Sequence, residues 1–243
     1  MTKRAKLDRD TIPIVLLPDA PFEVKEAYKA LRTNLQFLSV DSKLKSILVT
    51  STQPMESKTT VVVNLSIALA QAGLKVLIVD ADTRNPSIHK YLRLPSIPGL
   101  TNYLVGKYNI ADIILKTKFG VDVVPSGSLP PNPSELLGSA RMGELVRILE
   151  ANYDYVLYDT PPSLLITDAA VLSKYMDGVV FTVRYKTTEV EAARFVKGSL
   201  ENVGARIICC IITDIETSGF KGSGYYSYKQ YYNKYYKKEI KDY

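Results

Sequence analysis

The chain has a single histidine and only two cysteines in 243 residues, and these shortages exclude much. With His89 alone, neither a histidine-dependent triad nor a histidine-rich metal site can be assembled. His89 follows NPSI on a predicted short helix and is expected at the surface. Cys209 and Cys210 are adjacent within RIICCIIT, so they read as small apolar residues of a buried strand, not as part of a disulfide framework, and they fit a reducing cytoplasm. No apolar run approaches the ~20 residues of a membrane span, and MTKRAKLDRDTIP at the N-terminus holds no apolar signal core, so neither insertion nor secretion is expected. Charge is also missing where a nucleic-acid groove would need it. The net charge is +6, but residues 218–243 hold six lysines against Glu239 and Asp242, the first ten residues add two more positive charges, and residues 11–217 sum to zero. A neutral body with basic ends argues against a nucleic-acid partner.

What is present is alternation. Short apolar, β-prone runs occur at 46–51, 75–80, 121–126, 155–159, 178–184 and 206–213, with helical segments between most of them. FEVKEAYKALRTNLQFLS (22–39) and VVVNLSIALAQAG (61–73) are predicted helices, the second ending at Gly73 as a left-handed cap. NPSELLGSARMGELVRILE (132–150) is predicted as one helix, with Asn132 as N-cap, Pro133 at the first helical position and Glu135 closing a capping box. Strands that are apolar throughout and separated by helices predict an α/β, doubly wound fold: a mainly parallel sheet with helices on both faces. Such sheets bind ligands at the carboxyl ends of their strands. The expected organisation is an extended segment over 1–21 carrying Pro13, Pro18 and Pro21, a folded domain over 22–214, and a Tyr/Lys-rich tail over 215–243 that includes the flexible stretch SGFKGSG.

One loop is short of glycine at a place where glycine is the rule. STQPMESKTT (51–60) joins the run SILVT to a helix, and Lys58 and Thr59 stand where a phosphate-binding G-x-x-x-x-G-K-[ST] loop has its Lys and Ser/Thr. A strand end, a tight loop and a helix N-terminus together present unpaired N–H groups and the positive end of a helix dipole. Pro54, Met55, Glu56, Ser57, Lys58, Thr59 and Thr60 are therefore the candidate nucleotide contacts. Lys58 would reach the β- and γ-phosphates, and the Thr59 hydroxyl would take a place on Mg²⁺. By itself SKTT reads more readily as an ordinary helix start. Three aspartates change that reading. VLIVDADTR puts Asp80 and Asp82 at the end of the next strand, with Arg84 beyond, and YVLYDTPP puts Asp159 at the end of a later one. Each alone is an Asp ending a strand; on one sheet edge with a Lys-Thr loop, the three predict a magnesium-nucleotide site.

In these motifs and their order the chain resembles the bacterial tyrosine kinases of capsular and exopolysaccharide synthesis, a branch of the P-loop proteins. VLIVDADTR resembles their second aspartate motif, YVLYDTPP their Walker B, SGSLPPNPSELLGS (126–139) their most distinctive signature, and the terminal tyrosine cluster their autophosphorylation tail. EAYKALR resembles the E-x-x-R-x-x-R helix through which members form rings, with Glu26 and Arg32 kept and Lys29 in place of Arg. The resemblance implies ATP and Mg²⁺ as cofactors and a catalytic group of Lys58, Asp80, Asp82 and Arg84. Asp80 would act as base toward a tyrosine hydroxyl, Thr59, Asp82 and Asp159 would hold hydrated Mg²⁺, Lys58 would offset phosphoryl charge with help from Arg84, and Thr213 would lie beside the adenine. It also implies a homo-oligomeric ring, a membrane-anchored activator and chain-length regulator that completes the nucleotide pocket, and a cognate tyrosine phosphatase. The expected location is cytoplasmic, peripheral at the inner face of the plasma membrane through that partner.

The acceptors so implied are Tyr225, Tyr226, Tyr228, Tyr231, Tyr232, Tyr235 and Tyr236, on a linker that raises their effective concentration at a neighbouring site. Spacing allows another reading equally well. Tyr228, Tyr231, Tyr232 and Tyr235 fall at i, i+3, i+4, i+7, so with the interleaved lysines the tail could be a basic aromatic helix lying on a surface. The family's loop reads P-G-E-G-K-[ST], and here Met55 and Ser57 replace both glycines. If those positions need positive φ, each substitution costs about 1–3 kcal/mol, and the pair would weaken nucleotide binding by roughly 30-fold to 10⁴-fold. Thr213 also replaces a usual Asn. The alternative is therefore a nucleotide-impaired pseudokinase acting as a non-catalytic partner of the polysaccharide machinery. A partition or positioning ATPase is a third reading, opposed by Gln53 at the place of its signature lysine.

Overall fold

A computed structural model describes residues 20–39 and 43–215. Phe22–Leu38 forms α1, Ser46–Ser51 β1, Lys58–Ala70 α2, Val76–Asp80 β2, Ile88–Leu92 α3, Leu100–Leu104 α4, Ile110–Ile113 α5, Leu115–Lys116 β3 and Val121–Val124 β4. Then follow Pro133–Leu137 as α6, Ala140–Asn152 as α7, Tyr155–Asp159 as β5, Asp168–Ser173 as α8, Gly178–Arg184 as β6, Val190–Asn202 as α9 and Ile207–Thr213 as β7. The seven strands form one sheet in the order β3-β4-β2-β5-β1-β6-β7, and every pair is parallel except β3 with β4. The expected doubly wound α/β fold is what the chain adopts.

Alternate residues of each central strand serve different cores, because successive side chains leave a strand on opposite faces. Ile47 and Val49 of β1, Val76 and Ile78 of β2, and Tyr155 and Leu157 of β5 join the core beneath α1 and α2. Leu48, Leu77, Val79, Val156 and Tyr158 join the other, beneath α7, α8 and α9. That is why the strands read as unbroken apolar runs. Helix α2 is buried from Val61 to Leu69, since it lies between the sheet and α1, and an element covered on two sides has no polar face.

Local physics moves several predicted boundaries. Helix α2 starts at Lys58, inside the loop motif, with Ser57 as its N-cap; Gly73 has the expected left-handed φ of 82°. The single helix predicted over 132–150 is two. Gly138 ends α6 where a side chain would come within 2.8 Å of Val171 Cγ1 in α8, and Ser139 caps α7 by accepting the Met142 N–H at 3.2 Å. Asn132 does not cap the backbone; its amide donates to Glu135 Oε2 at 3.2 Å. Strand β7 is an edge strand, so Cys210 is exposed and Cys209 half-buried instead of enclosed. His89 is half-buried in α3 rather than at the surface, and burial lowers its pKa. The predicted extended segment 1–21, apart from its last two residues, and nearly all of the tail, 215–243, lie outside the described residues.

Candidate active site

Strand order brings the motifs together. Because β5 lies between β1 and β2, Asp159 is in register with Val49 on one side and with Asp80 on the other. The loop leaving β1 therefore passes beside the carboxylates that end β5 and β2. Lys58 Nζ donates to Asp82 Oδ2 at 2.9 Å and reaches Asp159 Oδ1 at 3.5 Å. The Thr59 hydroxyl donates to Asp159 Oδ2 at 2.6 Å, and the Ser87 hydroxyl donates to Thr59 Oγ1 at 3.3 Å. Asp82 Oδ1 accepts the Asn85 N–H, while Asp80 Oδ2 accepts the N–H groups of Ser87 and Ile88 at 3.2 and 3.1 Å. Asp80 Oδ1 is buried and has no partner.

The electrostatics follow from burial and like charge. Asp80 and Asp159 are wholly buried. Burial raises the Asp80 pKa well above the carboxylate range, and the charges of Asp159 and Asp82 push it further. For Asp159, burial again raises the pKa, against Lys58 and the Thr59 hydroxyl, which lower it. Burial works to lower the Lys58 pKa, but Asp159 and Asp82 outweigh it and the net shift is upward. Three carboxylates facing one ammonium leave a net negative pocket that a divalent cation would offset. Among the described residues no three acidic, histidine or cysteine side chains form a direct cage for an ion. Mg²⁺ keeps several of its waters and needs only one or two carboxylates. Asp82, Asp159 and Thr59 fit it through that shell.

Met55 and Ser57 do adopt positive φ, 66° and 65°, so the loop takes the shape that glycines would give it. Met55 is 74% exposed and turns outward from the loop. The pyrrolidine of Pro54 lies at the exposed tip, and Thr60 is half-buried in the first turn of α2. The carboxylate of Glu56 is only 2% exposed and faces the base of the loop.

Arg84 and Thr213 make contacts that the roles expected of them did not include. The Arg84 guanidinium is committed to Asp168, through Nε at 2.8 Å and Nη2 at 3.0 Å, and Ser134 Oγ donates to the same carboxylate at 2.5 Å. This clamp ties the loop after β2 to the first turns of α6 and α8, so Arg84 serves as a strut here. The Thr213 hydroxyl lies 3.3 Å from the backbone carbonyls of both Glu56 and Val183, shares its one proton between them, and so backs the loop. Beside it, a cavity of about 460 Å³ is lined by Arg184, Tyr185, Lys186, Thr187, Asp214 and Ile215. Asp168 and Arg184 carried no signal in the sequence, because nothing local marks them; Ser134 lies within the 126–139 signature, but its partner 34 residues away could not be read there.

The helix compared with a ring-forming motif divides in two. Glu26 and Lys29 pair with each other at 2.7 Å on the outer side of α1, but Arg32 Nη1 donates to Ala68 O at 2.9 Å and fastens α1 to α2. The candidate acceptors Tyr225, Tyr226, Tyr228, Tyr231, Tyr232, Tyr235 and Tyr236 lie outside the described residues.

With this geometry in hand, comparison with known proteins is direct. A family described as an AAA domain matches residues 45–202. The chain is 38% identical over 205 residues to tyrosine-protein kinase YwqD of Bacillus subtilis, covering 84% of this chain and 86% of that one. It is 37% identical over 201 residues to tyrosine-protein kinase CpsD of Streptococcus agalactiae, covering 81% and 86%. The solved kinase domain of the Escherichia coli tyrosine kinase ETK superposes with a TM-score of 0.82 at 31% identity, covering 91% of this chain and 86% of that one. The lysine-bearing loop and the three strand-end aspartates are thus set in a kinase fold, and the chain belongs to the bacterial tyrosine-protein kinase family.

Proposed function

We propose that the chain transfers the γ-phosphoryl group of ATP to tyrosines of its own C-terminal segment, and acts in capsular or exopolysaccharide synthesis. Residues 22–214 would be the catalytic unit and 215–243 the substrate segment, presented to a neighbouring copy in a ring. The observation that carries this reading is Asp80: a buried carboxylate with one oxygen unpartnered and its pKa raised, at the same sheet edge as Lys58. A tyrosine hydroxyl, with a pKa near 10, loses its proton more readily to a carboxylate whose own pKa is raised than to an ordinary one.

The chain's groups divide the work. The N–H groups at the start of α2 and the Lys58 ammonium would bind the β- and γ-phosphates once Lys58 leaves Asp82. Mg²⁺, when bound, would offset phosphate charge and orient the oxygens for in-line transfer. Asp82 and Asp159 would hold that ion's waters, and Asp80 Oδ1 would take the acceptor's proton. The cavity at the ends of β6 and β7, one strand along from the loop, would receive the base and ribose. Among the described residues no helix is long and apolar enough to cross a membrane; we assign membrane association to a separate anchored activator, and dephosphorylation to a partner phosphatase.

Incubation with γ-labelled ATP and Mg²⁺ tests the reading. Label should appear on residues 225–236 by mass spectrometry, and Lys58→Ala or Asp80→Asn should reduce it by at least ~100-fold. Nucleotide binding without any label would favour the pseudokinase reading. Phosphate released to water with an unmodified tail would favour an ATPase.

A further inference from the structure

The phosphate-binding loop has a second layer of support. Glu56 Oε2 accepts the N–H groups of Thr52 and Gln53 at 2.7 and 3.0 Å, and its Oε1 accepts the hydroxyl proton of Thr188. Thr188 Oγ1 in turn accepts the Arg184 N–H at 2.7 Å, within the turn that leads from β6 to α9. One donor and one acceptor therefore fix this hydroxyl, and a carboxylate that is 2% exposed is held by it. The braced residue sits between Met55 and Ser57, the two non-glycine residues in left-handed conformation.

We propose that Thr188 is a positioning residue for nucleotide binding: acting through the Glu56 carboxylate, it holds the loop in the left-handed shape that Met55 and Ser57 resist. This rests on the nucleotide-site reading given above. Without the hydroxyl, Oε1 is buried with no donor. The carboxylate then turns toward water, and the Thr52 and Gln53 amides lose their acceptor. Arg184 Nη1 still reaches the Met55 carbonyl and Thr213 Oγ1 the Glu56 carbonyl, but residues 55 and 57 lose the buried restraint on the residue between them and relax toward negative φ. That relaxation re-aims the N–H groups meant for phosphate. Glycine at both positions would have no such tendency, so the brace matters in this chain and loses its importance in one with the glycines restored.

The test uses the full chain carrying Thr188→Val or Thr188→Ser, each in the native loop and in Met55→Gly/Ser57→Gly. Affinity is read by titration with a fluorescent ATP analogue in Mg²⁺. In the native loop Thr188→Val should weaken binding roughly five- to tenfold and Thr188→Ser should restore it; in the glycine loop Thr188→Val should change it less than about twofold. Equal losses in both loops, or none in the native loop, would overturn the proposal. Amide exchange at Thr52 and Gln53, measured without nucleotide, is an independent readout. It should quicken in Thr188→Val only when Met55 and Ser57 are present. If the native chain binds no nucleotide yet shows that exchange pattern, the kinase reading fails and the brace stands. If exchange at these amides ignores Thr188, the brace fails whatever the nucleotide does.

Discussion

Met55 and Ser57 show how a loop can do without its glycines. A non-glycine residue in the left-handed region costs about 1–3 kcal/mol, and glycine itself costs about 0.5–1 kcal/mol in unfolded-state entropy. Contacts within the protein hold these two φ angles, including those of Glu56, so the cost falls on folding more than on ligand binding. Met55→Gly/Ser57→Gly should therefore stabilise the chain by roughly 1–4 kcal/mol, seen as a higher midpoint in thermal unfolding, with nucleotide affinity changing less than about tenfold. Asp80 works in the opposite sense. Its pKa is raised in the fold, so between the ordinary carboxylate pKa and the raised one the folded state holds more protons than the unfolded chain. Stability then falls as pH rises through that window and stays lower above it. Asp80→Asn should raise the melting temperature at neutral pH and flatten this dependence, while abolishing transfer. All three residues could be named from sequence, because a Lys-Thr loop and a strand-end Asp are local patterns. Their φ angles and free oxygens could not.

At the scale of elements, strands were legible and breaks were not. An apolar run bounded by turns is visible in the residues themselves, whereas the division of 132–150 into α6 and α7 depends on how closely Gly138 approaches Val171, a residue of α8. Strand β3, two residues pairing antiparallel with β4, is too short to leave a period. The cap at Ser139 is worth measuring: Ser139→Ala removes the acceptor of the Met142 N–H and should cost ~1 kcal/mol, or about 2–4 °C in melting temperature. The clamp of Arg84, Asp168 and Ser134 joins the loop after β2, α6 and α8. Asp168→Asn should weaken it, lowering turnover more than nucleotide affinity, because the loop that carries Asp82 loses its strut while the loop after β1 keeps its own contacts. Steady-state rates set against nucleotide titration separate the two.

For the molecule as a whole, the excess of carboxylates at one sheet edge makes ligand binding and stability a single property. A ligand that binds only the folded state stabilises it by mass action, by about 2.7 kcal/mol at a hundredfold excess over Kd. Mg²⁺ with ATP should raise the melting temperature more than either alone, and chelation of the metal should reverse it. Arg32 gives a contrasting prediction. Since it joins α1 to the Ala68 carbonyl, Arg32→Ala should lower the melting temperature by a few degrees, whereas Lys29→Ala, which loses only an exposed pair, should leave it within about 1 °C.

Residue order alone determined that this is a doubly wound sheet with a lysine-bearing turn and strand-end aspartates, because apolar periods, turns and helix starts are set by neighbours along the chain. Tertiary structure decided what those groups touch. Thr59 meets Asp159 across 100 residues, Arg84 meets Asp168 across 84, and Glu56 meets Thr188 across 132. Such partners are chosen by which strands lie side by side. A hydrogen bond acts over about 3 Å, and only the folded sheet brings groups so distant in sequence within that reach.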